Sequence, residues 1–187
     1  MQRACIISDD FFYLVGVEEM TSNGVDTIFF FDINRCMKEL SSRTYSLYII
    51  SLHSLTVSHQ LVRKMAEHNL KIIMVYDIPA EMLYSHARCL SKRDSIENIN
   101  RFFIDTALGR AKVENNITFR QMLIIKKLVA GKTQHLIARE DGCSIKTVSG
   151  IRNRLMVKLG LKPMNDLSLL IIDMVICSVK SDGIYKQ

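Results

Sequence analysis

Residues 144–160 read SIKTVSGIRNRLMVKLG, and this stretch decides how the second half of the chain folds. It opens on Ser144, a residue type that caps helix N-termini, and it closes on Gly160, a type that ends helices. Four apolar residues between them recur at helical spacing and share one face: Val148, Ile151, Leu155 and Leu159. The stretch is therefore predicted to form one amphipathic helix.

The opposite face of this helix is small and polar. At about 100° per residue, it carries Lys146, Ser149, Gly150 and Asn153. Arg152, Arg154 and Lys158 add positive charge at the flanks. An apolar back, a small polar front and basic edges suit a helix that enters the DNA major groove. A solvated surface helix can carry the same pattern, so the preceding residues are needed to distinguish a DNA-binding helix from an ordinary surface helix.

Those preceding residues predict two further helices. The first begins after Thr118 and ends at Gly131, and the second begins after Thr133 and carries Ile137 and Ala138. A tight turn at residues 141–143 separates the second helix from the amphipathic one. Two helices joined by a short turn with a glycine indicate a helix-turn-helix. A fourth helix is expected to start at Asn165 or Asp166 and to run to about Val179.

The spacing of these residues resembles that of the LuxR/FixJ-type helix-turn-helix over residues 117–175. The residues that carry the resemblance are Ile117, Thr118, Arg120, Gly131, Ile137, Ala138, Ser144, Lys146, Thr147, Val148, Lys158, Leu159 and Gly160. The chain departs from the family pattern at Gln121, at Leu136 and at Ile151, where the family commonly has glutamate, glutamate and histidine. These departures bear on fine DNA contacts more than on the fold.

The geometry of the amphipathic helix assigns roles to its polar residues. Lys146, Ser149, Gly150 and Asn153 are expected to face base edges, since Asn can pair with adenine and Lys with guanine. Phosphate contacts are expected from Thr133, Thr147, Arg152, Arg154 and Lys158. Gly150 costs a helix about 1 kcal/mol relative to alanine. Either it allows close approach to DNA or it is neutral variation, and the sequence leaves both open.

The first half of the chain alternates short apolar runs with amphipathic segments. The apolar runs lie at residues 4–8, 27–31, 47–50, 71–76 and, more weakly, 88–90, with helices at 33–40, 57–68 and 95–108 and a short one through Met82. Such runs are typical of strands buried on both faces of a parallel sheet. Five βα units in about 107 residues predict an α/β doubly wound, flavodoxin-like domain.

Charged residues follow the first and fifth predicted strands of this domain: Asp9 and Asp10 follow the first, and Lys92 follows the fifth. In this acidic pair and this lysine the domain resembles a response-regulator receiver domain. The family's phosphoryl-accepting aspartate falls on Ser51, and its hydroxyl residue after the fourth strand falls on Tyr76 or Asp77. A serine without a base is a poor nucleophile. The domain is therefore expected to be a degenerate receiver that is not phosphorylated, with helix capping and surface charge as the alternative roles of these residues.

The charge distribution divides the chain in two. Residues 1–110 have a net charge of −1 and residues 111–187 a net charge of +7, so the second part carries the basic balance. We therefore expect a receiver-like domain at residues 1–107, a linker at 108–116 and a basic DNA-binding domain at 117–187.

The cysteines and histidines do not suggest a metal or redox site. The five cysteines are scattered without a Cys-x-x-Cys pair, and the five histidines are dispersed. This argues for a reducing cytoplasm, with no metal and no cofactor. Asp9 and Asp10 interrupt the first apolar run, which argues against a signal peptide, and the run at residues 167–179 is too short for a bilayer.

These features favour a sequence-specific transcription regulator in the cytoplasm that binds double-stranded DNA and is not an enzyme. The resemblance implies an orphan response regulator, similar to RcsA-like and GadE-like regulators, that acts as a homodimer or with a partner response regulator. The apolar residues of the fourth helix are expected to form the dimer surface. Closing the core of the small domain is the alternative role, and the two roles are compatible. These residues are Leu167, Leu170, Ile171, Met174 and Val175. A phosphorylation- or metal-responsive regulator and an interaction module with a vestigial helix-turn-helix are the alternatives.

Overall fold

A computed structural model describes residues 4–20, 25–42, 44–77, 89–95, 97–99, 101–102, 118–158 and 166–180. The elements are β1 (Ala4–Ser8), α1 (Phe11–Met20), β2 (Val25–Phe29), α2 (Ile33–Ser41), β3 (Leu47–Ser51), α3 (Leu55–Glu67), β4 (Ile72–Tyr76), β5 (Cys89–Ser91), α4 (Phe119–Val129), α5 (Gln134–Glu140), α6 (Ile145–Lys158) and α7 (Asp166–Lys180). Residues 97–99 and 101–102 are also helical. The expected linker and the expected short helix through Met82 lie outside the described residues.

The five strands form one parallel sheet in the order β2-β1-β3-β4-β5. This is the flavodoxin-like order that the alternating pattern predicts, and the α/β doubly wound fold of the first domain is confirmed. The second strand begins and ends two residues earlier than expected. Three residues after the end of β2, Asp32 accepts a hydrogen bond from the backbone N–H of Arg35, 2.9 Å away, and so caps α2.

Alternate strand residues enter two separate apolar cores. Ile6, Ile49 and Ile73 pack with α1 on one face of the sheet. Ile7 and Ile50 lie on the opposite face, with the buried side chains of α2 and α3. This alternation buries both faces, as a parallel sheet requires.

The C-terminal helix α7 joins the two halves of the molecule. Among the described elements it packs most extensively against α3, and next against α4. One apolar cluster therefore runs from the sheet through α3 and α7 into the helix-turn-helix. Ile171 and Met174 are buried in this cluster within a single chain. Two of the residues assigned to the dimer surface are thus covered within one chain, and the core that α7 closes is shared with α3 of the first domain rather than confined to the small domain.

A buried polar contact crosses the same junction. Nε2 of His59 on α3 lies 2.8 Å from a carboxylate oxygen of Asp173 on α7, and both side chains are nearly excluded from solvent. The hydroxyl of Tyr76 at the end of β4 lies 3.7 Å from the sulfur of Met174. The junction is therefore specified by directional contacts as well as by apolar packing. In the described part of the chain, no helix has the length and apolar character needed to cross a bilayer.

Candidate nucleic-acid interface

Helix α6 is fixed at its start by the predicted cap. The hydroxyl of Ser144 accepts the backbone N–H of Thr147 at 3.0 Å, and the hydroxyl oxygens of the two residues are 2.9 Å apart. Thr147 is therefore held beside the first turn of the helix, and its side chain is half-buried.

The two faces of α6 separate as the sequence predicts. Val148, Ile151 and Leu155 are buried, together with Met156. Ile151 occupies the position where the LuxR/FixJ-type pattern commonly has histidine. Because Ile151 lies in the core, this position does not face outward. Leu159 and Gly160 lie outside the described residues.

The residues assigned to base edges share the outer face of the helix. Lys146 and Asn153 are exposed, whereas Ser149 and Gly150 are half-buried. A Cβ atom built on Gly150 would have no neighbour within 4 Å. The space in front of Gly150 is therefore open in the isolated protein.

The residues assigned to phosphates are more dispersed. Arg154 is exposed, and its Nε donates to the backbone oxygen of Gly150 at 3.3 Å, while Arg152 is half-buried. Thr133 is exposed at the start of α5, where its hydroxyl accepts the N–H of Leu136 at 3.3 Å. The side chain of Lys158 lies outside the described residues.

The two helices before α6 are held in place by caps and turns. Thr118 accepts the N–H of Gln121, whose side chain accepts the N–H of Thr118 in return, so Gln121 completes a capping box in place of the family's glutamate. Gly131 and Gly142 have φ values of +80° and +59° and end α4 and α5. Both turns therefore use the backbone region that glycine enters most readily.

Ion pairs connect the ends of α4 and α5. Lys127 contacts the carboxylates of Asp141 and Glu140, and Lys132 also contacts Glu140. The hydrogen bond to Asp141 raises the pKa of Lys127, and the hydrogen bond from Lys132, followed by that from Lys127, lowers the pKa of Glu140. These lysines stabilise the turn, whereas Lys146 and Arg154 present charge on the outer face.

The receiver-like residues meet at the carboxyl end of the sheet. Ser8 and Ser51 are paired in register at the ends of β1 and β3, and the Ser8 hydroxyl donates to the backbone oxygen of Ser51 at 2.7 Å. The side chain of Ser51 is buried, and its hydroxyl has no hydrogen-bond partner among the described residues.

The acidic pair is engaged by neighbouring residues. Asp9 accepts the backbone N–H of His53 at 3.1 Å and lies 2.9 Å from Nδ1 of the same residue. Asp10 accepts the backbone N–H of Tyr13 at 3.0 Å, and Nζ of Lys92 is 3.5 Å from its carboxylate. The hydrogen bond from Tyr13, more than the charge of Lys92, holds the pKa of Asp10 below its ordinary value.

Sequence reasoning did not find His53 or Tyr13 as members of this cluster. Tyr13 lies beneath the Lys92 ammonium, which is 4.7 Å from the ring centre, and burial raises the pKa of Tyr13 to about 12. His53 is 44 residues from Asp9 in the chain. His53 follows β3 by two residues and so lies at the same sheet edge as Asp9. This position along the chain is the sequence feature that could have predicted its place in the cluster.

The C-terminal part is similar to one family of known proteins. Residues 115–170 match the family model described as bacterial regulatory proteins, luxR family. Comparison with curated protein sequences yields no match.

Two solved structures share the fold over most of the chain. One shows two RcsB dimers bound to two parallel DNAs, with a TM-score of 0.51, 15% identity and coverage of 92% of this chain and 99% of that one. The other is the two-component response regulator RcsB in complex with DNA, with a TM-score of 0.51, 16% identity and coverage of 92% and 99%. The chain is thus similar to the luxR family over residues 115–170, and its helix-turn-helix follows a receiver-like α/β domain in a fold like that of RcsB.

Proposed function

We propose that this protein is a sequence-specific DNA-binding transcription regulator. The observation that carries the proposal is α6: its apolar face closes a core, and its small polar face with Lys146, Asn153 and Arg154 is turned outward. A helix of this kind, preceded by a capped helix and a glycine turn, reads bases in the major groove. The match of residues 115–170 to bacterial regulatory proteins supports this role.

The proposal assigns Lys146, Ser149, Gly150 and Asn153 to base edges. Their shared face and the open space in front of Gly150 support the assignment. Thr133, Thr147, Arg152, Arg154 and Lys158 are assigned to phosphates, which set register but carry no sequence information.

Binding to a library of random duplexes tests the function. The full chain is mixed with the library, the retained duplexes are sequenced, and the affinity for the recovered site is measured between 50 and 200 mM salt. We expect one recovered motif and an affinity that falls steeply with salt, because phosphate contacts release counterions. Recovery of unselected sequence at every salt concentration would contradict sequence-specific binding.

We further propose that aspartyl phosphorylation does not control this regulator. The receiver reaction needs a carboxylate nucleophile, a divalent ion between carboxylates and a lysine counter-charge. Here the acceptor position is the buried hydroxyl of Ser51, and the carboxylate of Asp9 is engaged by His53. The residues present therefore do not fit the magnesium site of a receiver.

Incubation with acetyl phosphate and magnesium tests this second proposal. Intact mass and DNA affinity are measured on the full chain before and after treatment, with an authentic response regulator as the positive control. We expect no phosphoryl adduct and no change in affinity. A labile adduct accompanied by altered affinity would favour the phosphorylation-responsive alternative.

A further inference from the structure

An exposed aromatic patch lies beside the acidic end of the sheet. Phe11 and Phe12 begin α1, and Phe29 and Phe31 end β2 and follow it. Their side chains are 61%, 86%, 37% and 61% exposed, respectively. Phenylalanine is among the residues most often buried, so four exposed rings in one place need an explanation.

The four rings form one continuous surface. The ring centres of Phe29 and Phe31 are 5.0 Å apart, those of Phe11 and Phe12 are 6.1 Å apart, and those of Phe11 and Phe29 are 6.5 Å apart. Each neighbouring pair is within edge-to-face distance. The rings are therefore already packed against one another, and their side chains would lose little conformational entropy when a partner covers them.

The exposed apolar area of this aromatic patch is comparable to the apolar part of one side of a protein interface. With about 200 Å² for each fully exposed ring, these fractions leave roughly 500 Å² of apolar surface in water. A standard interface covers about 800 Å² on each partner, of which somewhat more than half is apolar. The patch therefore supplies the apolar share of one complete interface.

The rim of the patch carries charges of both signs. The guanidinium of Arg35 lies 4.4 Å from the centre of the Phe31 ring and 3.3 Å from the carboxylate of Glu39. Asp32 and Lys38 line the same surface depression as Arg35 and Glu39. A two-fold interface places a surface against itself, so a rim with both signs can pair with its own copy, whereas a rim of one sign would repel it.

We infer that the aromatic patch is the surface through which two copies of this chain associate. The inference rests on the proposed function, because one recognition helix covers too little DNA for tight specific binding and dimers place two such helices on two half-sites. Two of the α7 residues considered for this purpose, Ile171 and Met174, are covered by the chain's own packing. The aromatic patch is exposed on the receiver-like part of the molecule.

Sedimentation equilibrium of the full chain without DNA tests the inference. The double variant Phe12→Ser and Phe31→Ser removes the two outer rings, and the matched control Phe119→Ser removes a ring that is 64% exposed on α4. We expect the unchanged chain and the control to be dimers with the same dissociation constant. The dimer dissociation constant of the double variant should be at least tenfold higher, and its far-ultraviolet circular dichroism spectrum should be unchanged.

A monomeric unchanged chain, or a dimer that the double variant leaves intact, would overturn the inference. DNA binding is measured on the same preparations. A dimer that depends on the patch but binds no specific DNA contradicts only the proposed function. Specific binding by a dimer that survives the double variant contradicts only the role of the patch.

Discussion

At the scale of single residues, the end of β3 carries a small buried hydroxyl, that of Ser51. Ser8 from the neighbouring strand bonds to the backbone of Ser51 rather than to its side chain. A buried hydroxyl without a partner lowers the stability of a folded protein.

Replacing Ser51 by alanine is therefore expected to stabilise the protein. Ser51→Ala should raise the free energy of unfolding by about 1 kcal/mol, because it removes a buried hydroxyl that makes no hydrogen bond. Ser8→Ala is the matched control, since the Ser8 hydroxyl donates to Ser51 and accepts the N–H of Asp10 at 3.1 Å. That change should lower stability by about 1–2 kcal/mol. Urea unfolding measures both, and a loss of stability in Ser51→Ala would show that its hydroxyl is bonded.

The location of single site residues was predictable from the sequence where they lie at the ends of predicted strands. Asp9, Asp10 and Lys92 follow strands and Ser51 ends one, so a parallel sheet brings them to one edge, and the structure places them there. The position of His53 after β3 indicates the same edge, but its hydrogen bond to Asp9 was not predictable, because it depends on where the loop after β3 turns.

At the scale of elements, α6 combines a stable core face with a glycine in its middle. Gly150 has a helical position and open space where a side chain would lie. In the isolated protein this glycine therefore only costs stability, and a benefit has to come from something that approaches the helix.

Gly150→Ala distinguishes the two explanations of this glycine. The change should stabilise the free protein by about 0.5–1 kcal/mol and weaken specific DNA binding, because the added methyl group separates the helix from the base edges. Gly16→Ala is the control: Gly16 lies within α1 and also has no neighbour within 4 Å of a built Cβ. Gly16→Ala should stabilise the free protein without changing its affinity for DNA. Unchanged DNA affinity in Gly150→Ala would favour neutral variation.

Most elements were predictable because their signals are local. Ser144, Thr118 and Thr133 cap helices in the structure as their residue types indicate. The strands follow from short apolar runs, and β2 shows the largest shift in bounds, because Phe30 and Phe31 continue the apolar run beyond the last strand residue, Phe29, as far as the capping residue Asp32.

At the scale of the whole molecule, α7 connects the receiver-like domain to the helix-turn-helix. The sequence shows that this helix is apolar, but an apolar helix does not specify which surface will cover it. Packing against α3 and the contact between His59 and Asp173 settle this in the folded chain.

Breaking the contact between His59 and Asp173 should destabilise the whole molecule. His59→Ala leaves a carboxylate that is 4% exposed without its imidazole partner, so we expect a loss of about 3 kcal/mol. His53→Ala is the control, because its side chain is 68% exposed while it contacts Asp9. That change should cost less than about 1 kcal/mol. Urea unfolding followed by probes in both domains measures the effect, and equal small losses in the two variants would contradict a structural role for the junction.

The central claim is that α6 reads DNA sequence, and it is tested most directly by comparing two neighbouring variants on the selected site. Asn153→Ala should reduce discrimination against single-base changes by about 1–3 kcal/mol at one position, because a base contact is lost. Arg154→Ala should weaken binding to all sequences alike and lower the slope of log affinity against log salt by about 1. Equal, sequence-independent losses in both variants would contradict the account.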